Sequence, residues 1–399
     1  MPPVNQRVLR EHHLALVLRH VASQPGPVSR ADLGAATGLT RATVSGIVDE
    51  LTAGGLLSEV DPLPRNGAGR PATGLALATT GPAGLGLEVN VDYLAAAVLD
   101  LTGATRVLCT RHRDQRGRSP RRVLADLAKL AAQAAQQAAD EGLTVAGTVV
   151  GVPGLVGGDG LVRSAPNLGW RDVDVAGALD AAGAGLGDLR VENEANLAAL
   201  AELHAGTEAA PSFVYISGEI GVGAGIVLDG RLLRGARGYG GEIGHVTIRP
   251  DGPSCRCGSR GCLETYTNLE VLLHDAGLPL STEDVDDPVA RLAAQAQAGH
   301  ASTLAALAQA GTALGIAAAD VVNLVDVDTV VLGGVYARLA PWLAAAVSQE
   351  LHARTVTSAW APVTVRAAVV GTHAAIVGGA GSVVRQILEA PATWLARTP

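Results

Sequence analysis

Three cysteines and one histidine lie close together in the chain. Cys255, Cys257 and Cys262 fall in the run CRCGSRGC, and His245 precedes Cys255 by ten residues. Thiolate sulfur and imidazole nitrogen are ligands that zinc prefers, and four of them complete a tetrahedral shell. Three surface cysteines beside a core histidine are the alternative, but the glycines inside the run would let the chain fold around an ion. The sequence therefore predicts a structural zinc site, closed to catalysis because the protein supplies all four ligands.

The N-terminal segment has the pattern of three short helices. Apolar residues recur at helical spacing between Val4 and Val21, and QPGP ends that helix. Ser29 and Thr40 precede two further helical segments as N-caps, and Gly38 supplies the turn between them. This combination predicts a helix-turn-helix. Its small core is expected to contain Ala35, Val44, Ile47, Val48 and Leu51.

The outward-facing side chains of this unit suit DNA. Small and hydroxylated residues with one arginine at the start of the third helix fit the floor of a major groove. The runs LLSEV and TGLALA predict two wing strands, and the cationic tip RNGAGRP can lie in a minor groove. A helical cap that binds another protein is the alternative. The residues predicted to bind DNA are Ser29, Arg30, Thr40, Arg41, Ala42, Thr43, Ser45, Gly69 and Arg70.

The charge distribution restricts any DNA contact to this segment. The chain has 399 residues and a formal net charge of −8. Residues 1–80 carry seven arginines against six acidic residues, which leaves −9 on the remainder. An acidic body repels the DNA backbone. Because no uninterrupted apolar run reaches about 18 residues and the start lacks the pattern of a signal peptide, we expect a cytoplasmic protein with no membrane partner.

Beyond residue 80 strand-like and helical segments alternate. GLGLEVNVDYLAAAVLDLTG and TRVLCTRHR predict three strands, residues 120–141 a long amphipathic helix, and VAGTVVGVPGLV a buried strand. A similar series returns in SFVYISGEIGVGAGIVLDGRLL, a helix around residues 302–323, and DTVVLGGV. The pattern predicts two α/β units with a cleft between them, and clefts of this kind bind small molecules.

Taken together, the motifs resemble the ROK family of bacterial sugar kinases and sugar-responsive transcriptional repressors. The resemblance rests on GVGAGIVLDGRLLRGARGYGGEIGH, CRCGSRGCLE, PNLGW, ENEAN and VLGG, and it covers nearly all of the chain. It implies an α/β fold in which a winged helix-turn-helix precedes a two-lobed, actin-like (ribonuclease-H-like) sugar-kinase body. We expect the DNA-binding domain over residues 1–80, the first lobe over 81–190 and the second over 191–399, with the C-terminal helix returning to the first lobe.

Sugar hydroxyls need donors and acceptors that converge in a preformed cleft. The resemblance implies six such residues on separate loops, and one of them also belongs to the zinc set. They are Asn167, Asn193, Glu194, Glu242, His245 and Glu264. Trp170 is expected either to wall the cleft or to belong to the core.

Catalysis depends on Glu194 and on two loops. Kinases of the family use aspartate as the general base where this chain has Glu194, and one added methylene displaces the carboxylate beyond the tolerance for proton transfer. They also hold phosphates with Asp-x-Gly-Gly-Thr and Gly-Thr-Gly turns, where this chain has EVNVD at residues 88–92 and EIG at 219–221. Side chains there would block and repel a triphosphate. The glycines at 333–334 would lie beside adenosine, or serve a tight strand-to-helix turn.

The sequence therefore predicts a sugar-responsive DNA-binding transcriptional repressor with a non-catalytic body. An active sugar kinase with an appended DNA-binding domain is the alternative, and a protein-docking adaptor is a third class. Because one small helix-turn-helix with few arginines gives little affinity, we expect a homodimer, or a dimer of dimers, on an inverted-repeat operator. A small sugar or sugar derivative is the expected effector; its identity and the sign of its effect on DNA binding stay open.

Overall fold

The N-terminal part of the chain forms three helices and a two-stranded hairpin. The computed structural model describes residues 5–60, 73–183, 186–206, 211–218, 220–279 and 287–397. The elements of this part are α1 (Gln6–Ser23), α2 (Arg30–Thr37), α3 (Arg41–Ala53), β1 (Leu57–Val60) and β2 (Gly74–Leu77). The two strands pair antiparallel. The predicted helix-turn-helix and its wing strands are confirmed, whereas the wing tip with Gly69 and Arg70 lies outside the described residues.

Local hydrogen bonds explain where α2 and α3 begin. The Ser29 hydroxyl accepts a bond from the Asp32 N–H, and the Asp32 carboxylate accepts one from the Ser29 N–H, which completes a capping box. Thr40 caps α3 by accepting from the Thr43 N–H. Between the helices Gly38 has φ 71°, a left-handed conformation that glycine adopts without steric cost. The turn therefore follows from the residue types at these positions.

The prediction is wrong for one of the expected core residues of this unit. Ala35 is exposed, and Leu33 is fully buried in its place. Two residues along a helix differ by about 200° in direction, so burying Leu33 turns Ala35 outward. The other four expected core residues are buried, namely Val44, Ile47, Val48 and Leu51.

The first lobe is built on a mixed five-stranded sheet in the order β10-β6-β3-β4-β5, with a small sheet β7-β8-β9 beside it. Its elements are β3 (Gly81–Val89), β4 (Tyr93–Leu99), β5 (Thr105–His112), α4 (Pro120–Asp140), β6 (Leu143–Val152), β7 (Leu155–Val156), β8 (Leu161–Ala165), β9 (Trp170–Asp174), α5 (Val175–Ala181), β10 (Asp188–Asn193) and α6 (Glu194–Ala205). All of β10 pairs with β6, so the expected lobe boundary at residue 190 falls inside a strand of the first sheet.

The second lobe is built on a sheet in the order β13-β12-β11-β14-β15. Its elements are β11 (Phe213–Gly218), β12 (Val222–Leu228), β13 (Arg231–Leu232), a 3₁₀ turn (Ile243–His245), α7 (Glu264–Thr267), α8 (Leu269–Asp275), α9 (Pro288–Gln297), α10 (Ala301–Val325), β14 (Thr329–Gly334), α11 (Val335–Arg354), β15 (Thr364–Ala367), α12 (Ala374–Glu389) and α13 (Pro391–Leu395). Among the described helices α10 alone is long and apolar enough to cross a membrane, but 61% of its most apolar window is buried in the protein.

The two large sheets share one topology. In each sheet, three consecutive strands pair antiparallel. A fourth strand pairs parallel with the first of these three, and a fifth strand pairs parallel with the fourth. Two helices lie between the sheets: α12 packs on β3, β4 and β6, and α6 packs on α12 and on β12. The last long helix of the chain thus lies on the first lobe, and the first lobe and α6 meet the second lobe along a cleft.

The DNA-binding unit shares its hydrophobic core with the body. Leu18 of α1 and Val48 of α3 belong to one buried cluster with Leu99 of β4 and with Val384 and Ile387 of α12. Burial of apolar surface is the main favourable contribution to such contacts. The N-terminal unit is therefore packed directly on the first sheet and the C-terminal helices.

Candidate functional site

A cleft of about 160 Å³ lies between the two lobes. It is lined by the ends of β3 and β10, the loop after β6, the start of α6, parts of β11 and β12, the 3₁₀ turn, α7 and the start of α12. All six residues predicted to bind sugar line this one cleft: Asn167, Asn193, Glu194, Glu242, His245 and Glu264. The fold thus gathers carboxylates, amides and an imidazole, which can donate and accept the hydrogen bonds that sugar hydroxyls make.

The Asn193 amide fixes the position of Glu194. Its Oδ1 accepts from the N–H groups of Ala195 and Asn196 at 2.8 and 3.1 Å, and its Nδ2 donates to the Gly154 carbonyl at 3.0 Å. Asn193 is therefore the N-cap of α6, and Glu194 is the first residue of that helix. The helix dipole favours a carboxylate there. Most of the hydrogen-bonding capacity of Asn193 serves this junction, and Glu194 is the side chain that it orients at the cleft.

Asn167 is held from across the cleft. The Arg256 guanidinium, inside the cysteine run, donates to Asn167 Oδ1 at 3.1 Å. A Cβ atom on Gly221 would lie 2.9 Å from Asn167 Nδ2, so a glycine at that position allows the amide to approach. Arg256 was not among the predicted site residues; its position between two of the cysteines was the one available signal. It links the cysteine loop to a residue of the sugar set.

The three cysteines and His245 converge as the sequence predicts. One ligand atom from each of the four lies within 4.8 Å of the others. Cys257 Sγ is 3.8 Å from Cys262 Sγ, and Cys255 Sγ is 3.7 Å from His245 Nδ1. Ligands on a tetrahedron around an ion with metal–sulfur bonds of about 2.3 Å are separated by about 3.8 Å, whereas a disulfide needs about 2.05 Å. The donor set and its spacing therefore fit a tetrahedral metal ion.

The two nitrogens of the His245 ring face different partners. Nδ1 faces Cys255, and Nε2 lies 3.8 Å from Glu242 Oε2 in the cleft. The Cys255 thiol donates to Glu264 Oε1 at 2.9 Å. Burial raises the pKa of the Glu242 carboxyl; the nearby His245 opposes this rise and the Glu264 charge adds to it. One imidazole can thus serve both predicted roles, as a metal ligand through Nδ1 and as a cleft residue through Nε2.

Side chains fill the segment at residues 88–92, the position of the first phosphate loop in kinases of the family. Glu88 is only 3% exposed and accepts hydrogen bonds from Tyr93 Oη at 2.9 Å and Asn90 Nδ2 at 3.2 Å. Burial also raises the pKa of the Asp92 carboxyl. In the second loop Ile220 packs against the hydrophobic core of the first lobe, while Glu219 lies outside the residues that the structure describes. Acidic and apolar side chains therefore occupy these two segments.

The glycine pair at the end of β14 has a packing role. A Cβ atom on Gly333 would lie 2.0 Å from Cζ of Tyr215, and Gly334 has φ 54° where β14 turns into α11. Both glycines are required by a ring and a tight turn, so they are explained without a nucleotide. Trp170 is 3% exposed and belongs to the core of the first lobe, so of its two expected roles the core one is observed.

Comparison with known proteins decides the family. The sequence profile of the ROK family matches residues 84–386. The chain belongs to the ROK family. A profile of the MarR family matches residues 15–65, within the N-terminal unit.

Relatives of this ROK protein include both regulators and kinases. The xylose repressor of Bacillus subtilis (strain 168) is 30% identical over 274 residues, which cover 68% of this chain and 70% of the relative. A glucokinase of Halalkalibacterium halodurans is 30% identical over 259 residues, covering 60% and 76%. A crystal structure of a ROK family transcriptional regulator, a homologue of the E. coli MLC protein, matches with a TM-score of 0.78 at 27% identity and covers 97% of this chain and 99% of that one. These matches confirm the predicted winged helix-turn-helix in front of a two-lobed, actin-like ROK body.

The candidate DNA-contacting residues of this ROK chain differ in how available they are. Arg41 and Ala42 are exposed at the start of α3, and in the described part of the chain no acidic side chain pairs with Arg41. The Arg30 guanidinium pairs with Asp49 at 2.8 Å and Glu59 at 3.2 Å. The remaining predicted side chains are the buried cap Ser29, the cap Thr40, and the half-buried Thr43 and Ser45. The start of α3 is thus the most accessible surface of the set.

Proposed function

We propose that this chain is a sugar-responsive DNA-binding repressor whose ROK body binds a sugar without phosphorylating it. The observation that carries the proposal is the convergence of six sugar-type ligands in one cleft of a chain that begins with a winged helix-turn-helix. The relatives named xylose repressor support the regulatory role and make D-xylose the first sugar to test. Because one fold can serve several functions, the proposal rests on both the cleft and the DNA-binding unit.

The absence of phosphoryl transfer is supported by three departures from the kinase pattern. Glu194 replaces the aspartate base, buried Glu88 lies in the first phosphate loop, and Ile220 packs into the first lobe in the second. A phosphate placed there would meet a carboxylate and a hydrocarbon in place of backbone N–H groups. The glucokinase relatives keep an active kinase as the alternative.

A structural zinc ion is part of the proposal. His245, Cys255, Cys257 and Cys262 would hold it, and no ligand position would remain open for substrate. The ion would fix the loop that carries Arg256 and the adjoining Glu264, one a partner of Asn167 and the other a cleft residue. Its role would therefore be to shape the sugar site.

The proposed DNA contacts lie on α3 and the wing. Arg41, Ala42, Thr43 and Ser45 would enter the major groove, and Gly69 and Arg70 the minor groove. A homodimer, or a dimer of dimers, would bind an inverted repeat in the cytoplasm, because two-fold symmetry pairs two half-sites.

Two measurements on the full-length protein test the proposal. Its melting temperature is recorded with D-xylose, D-glucose and other sugars, with and without ATP and magnesium, and genomic fragments that it retains are sequenced. We expect one sugar to raise the melting temperature without ATP, no ADP to form, and the fragments to share an inverted repeat. Sugar-dependent ADP production would favour the alternative of an active sugar kinase. If the protein binds neither sugar nor DNA, the result would favour a protein-docking adaptor.

A further inference from the structure

The packing of β3 against α12 indicates that Glu88 lies near the start of this helix. Gly84, Gly86 and Glu88 alternate on one face of β3, and α12 lies directly on that face. A Cβ atom on Gly84 would be 2.1 Å from the Ala380 carbonyl oxygen, and one on Gly86 would be 1.9 Å from the Ile376 carbonyl oxygen. Moving two residues along β3, from Gly84 to Gly86, therefore moves the contact on α12 by four residues, or about one turn, towards the N-terminus of the helix. The next step places Glu88 beside the first residues of the helix, and both line the cleft.

This corner of the cleft offers both hydrogen-bond donors and an acceptor. No side chain caps α12 in the described part of the chain, so its first N–H groups face the cleft as donors. Glu88 Oε1 is occupied by Tyr93 and Asn90, whereas Oε2 is buried and has no hydrogen-bond partner among the described residues. His373, just before the helix, has a buried Nδ1 that also lacks such a partner. A buried unpaired polar atom is costly, so a water molecule or a ligand group is expected to satisfy it.

A hydroxyl group satisfies this corner and a phosphate does not. A hydroxyl can accept from a helix N–H and at the same time donate to ionised Glu88 or accept from protonated Glu88. An ionised phosphate only accepts, and it would bring negative charge against Glu88 and Asp92. Burial raises the pKa of the Glu88 carboxyl, against the lowering effect of the hydrogen bonds from Tyr93 and Asn90, and the Asp92 charge adds to the rise. A phosphate in this corner would meet a like charge on ionised Glu88 and on Asp92, and like charges at close range oppose binding.

We propose that Glu88 makes the cleft select a free sugar hydroxyl over the phosphorylated form of the same sugar. The inference rests on the proposed function and specifies its ligand class: a neutral, unphosphorylated sugar with a hydroxyl directed at the start of α12. Helix N-termini commonly attract phosphate, and here a protein carboxyl lies beside that position. The regulator would thus respond to a sugar before phosphorylation and not to the product of a sugar kinase.

Isothermal titration of the full-length protein with matched pairs tests this selectivity. The pairs are D-xylose with α-D-xylose 1-phosphate, and D-glucose with D-glucose 6-phosphate and α-D-glucose 1-phosphate. We expect the free sugar of at least one pair to bind at least about 100-fold more tightly than its esters, because close like charges are strongly unfavourable. In Glu88→Gln, which keeps the shape and removes the charge, that ratio should fall at least tenfold, mainly through tighter binding of the ester.

Glu202→Gln is the matched control. Glu202 is also a buried glutamate, 2% exposed, but it binds Arg366 and the backbone of residues 369–370 away from the cleft lining. This variant should keep the wild-type ratio. If the wild type binds an ester with the same affinity as the free sugar, the inference is overturned. This result does not depend on whether Glu88→Gln folds, and it leaves the proposed sugar sensing intact. An unchanged ratio in folded Glu88→Gln removes the assignment to Glu88. Failure of every sugar and every ester to bind contradicts the proposed function itself.

Discussion

The indole N–H of Trp394 donates a hydrogen bond of 2.9 Å to the carbonyl of Gly54. Trp394 lies in α13, near the end of the chain, and Gly54 is the C-cap of α3, the candidate recognition helix. The preceding helix α12 begins at the cleft and shares a hydrophobic cluster with α1 and α3. A continuous packed path therefore runs from the candidate sugar site to the candidate DNA-binding helix.

Removal of the Trp394 side chain should loosen the DNA-binding unit from the body. Trp394→Ala loses the hydrogen bond and the half-buried ring, so we expect a loss of roughly 1–3 kcal/mol in the free energy of unfolding. Trp394→Phe keeps an aromatic ring and should lose about 1 kcal/mol. Urea unfolding of both variants measures this. Wild-type stability of Trp394→Ala would show that the contact is not formed in solution.

Arg41 and Arg30 should respond differently to removal, although both were predicted to bind DNA. Arg41→Ala should weaken operator binding at all sequences and lower the salt dependence by about one phosphate contact. Arg30→Ala should mainly lose its ion pairs with Asp49 and Glu59, at roughly 0.5–1 kcal/mol of stability. Binding titrations at several salt concentrations, with melting curves for each variant, separate the two effects. An equal change in salt dependence for both variants would contradict this distinction.

The cysteine cluster should control metal content and sugar response together. Purified protein should hold about one zinc ion per chain, and Cys257→Ser should lose it together with the sugar-induced rise in melting temperature. Cys109→Ser is the matched control, because Cys109 is remote from the cluster and donates to Gln137. Elemental analysis gives the metal content. Metal-free protein with a full sugar response would exclude the proposed zinc site.

Glu194 should be required for sugar binding but not for DNA binding. Glu194→Ala should abolish the sugar response and leave the operator affinity of sugar-free protein unchanged. Glu194→Asp restores the residue type of a kinase base, but it should not form ADP because Ile220 and the side chains of residues 88–92 remain. Turnover is measured in a coupled ADP assay on highly purified protein. A sugar-dependent rate within the roughly 1–1000 per second of ordinary enzymes in the wild type would make the chain a kinase.

Local signals in the sequence predicted more than long-range ones did. Ser29, Gly38 and Thr40 act on neighbouring residues, so the turn between α2 and α3 could be recognised directly. The six cleft residues were found through motif resemblance, and spacing alone would not have brought them together. The burial of Leu33 in place of Ala35 could not be foreseen, because α2 is short and carries several apolar residues whose helical phase is ambiguous.

Contacts between distant segments account for the rest. Arg30 was expected to face DNA, but Asp49 and Glu59 hold it, and only the fold brings these side chains together. Glu88 was recognised as a departure from the phosphate-loop pattern, yet its place beside α12 depends on a helix almost 300 residues later. The link from Arg256 to Asn167 likewise crosses the two lobes. Sequence periodicity carries no information on such pairings.

The central claim is tested most directly by operator binding of the full-length protein as free sugar is added without ATP. A fluorescent inverted-repeat duplex chosen from the retained genomic fragments is titrated with protein, and its anisotropy is followed at rising concentrations of the sugar that stabilises the body. Operator affinity should change at least about tenfold over the concentration range in which the sugar raises the melting temperature, because coupled sites shift each other's equilibria. Operator affinity that stays constant at saturating sugar would contradict the central claim.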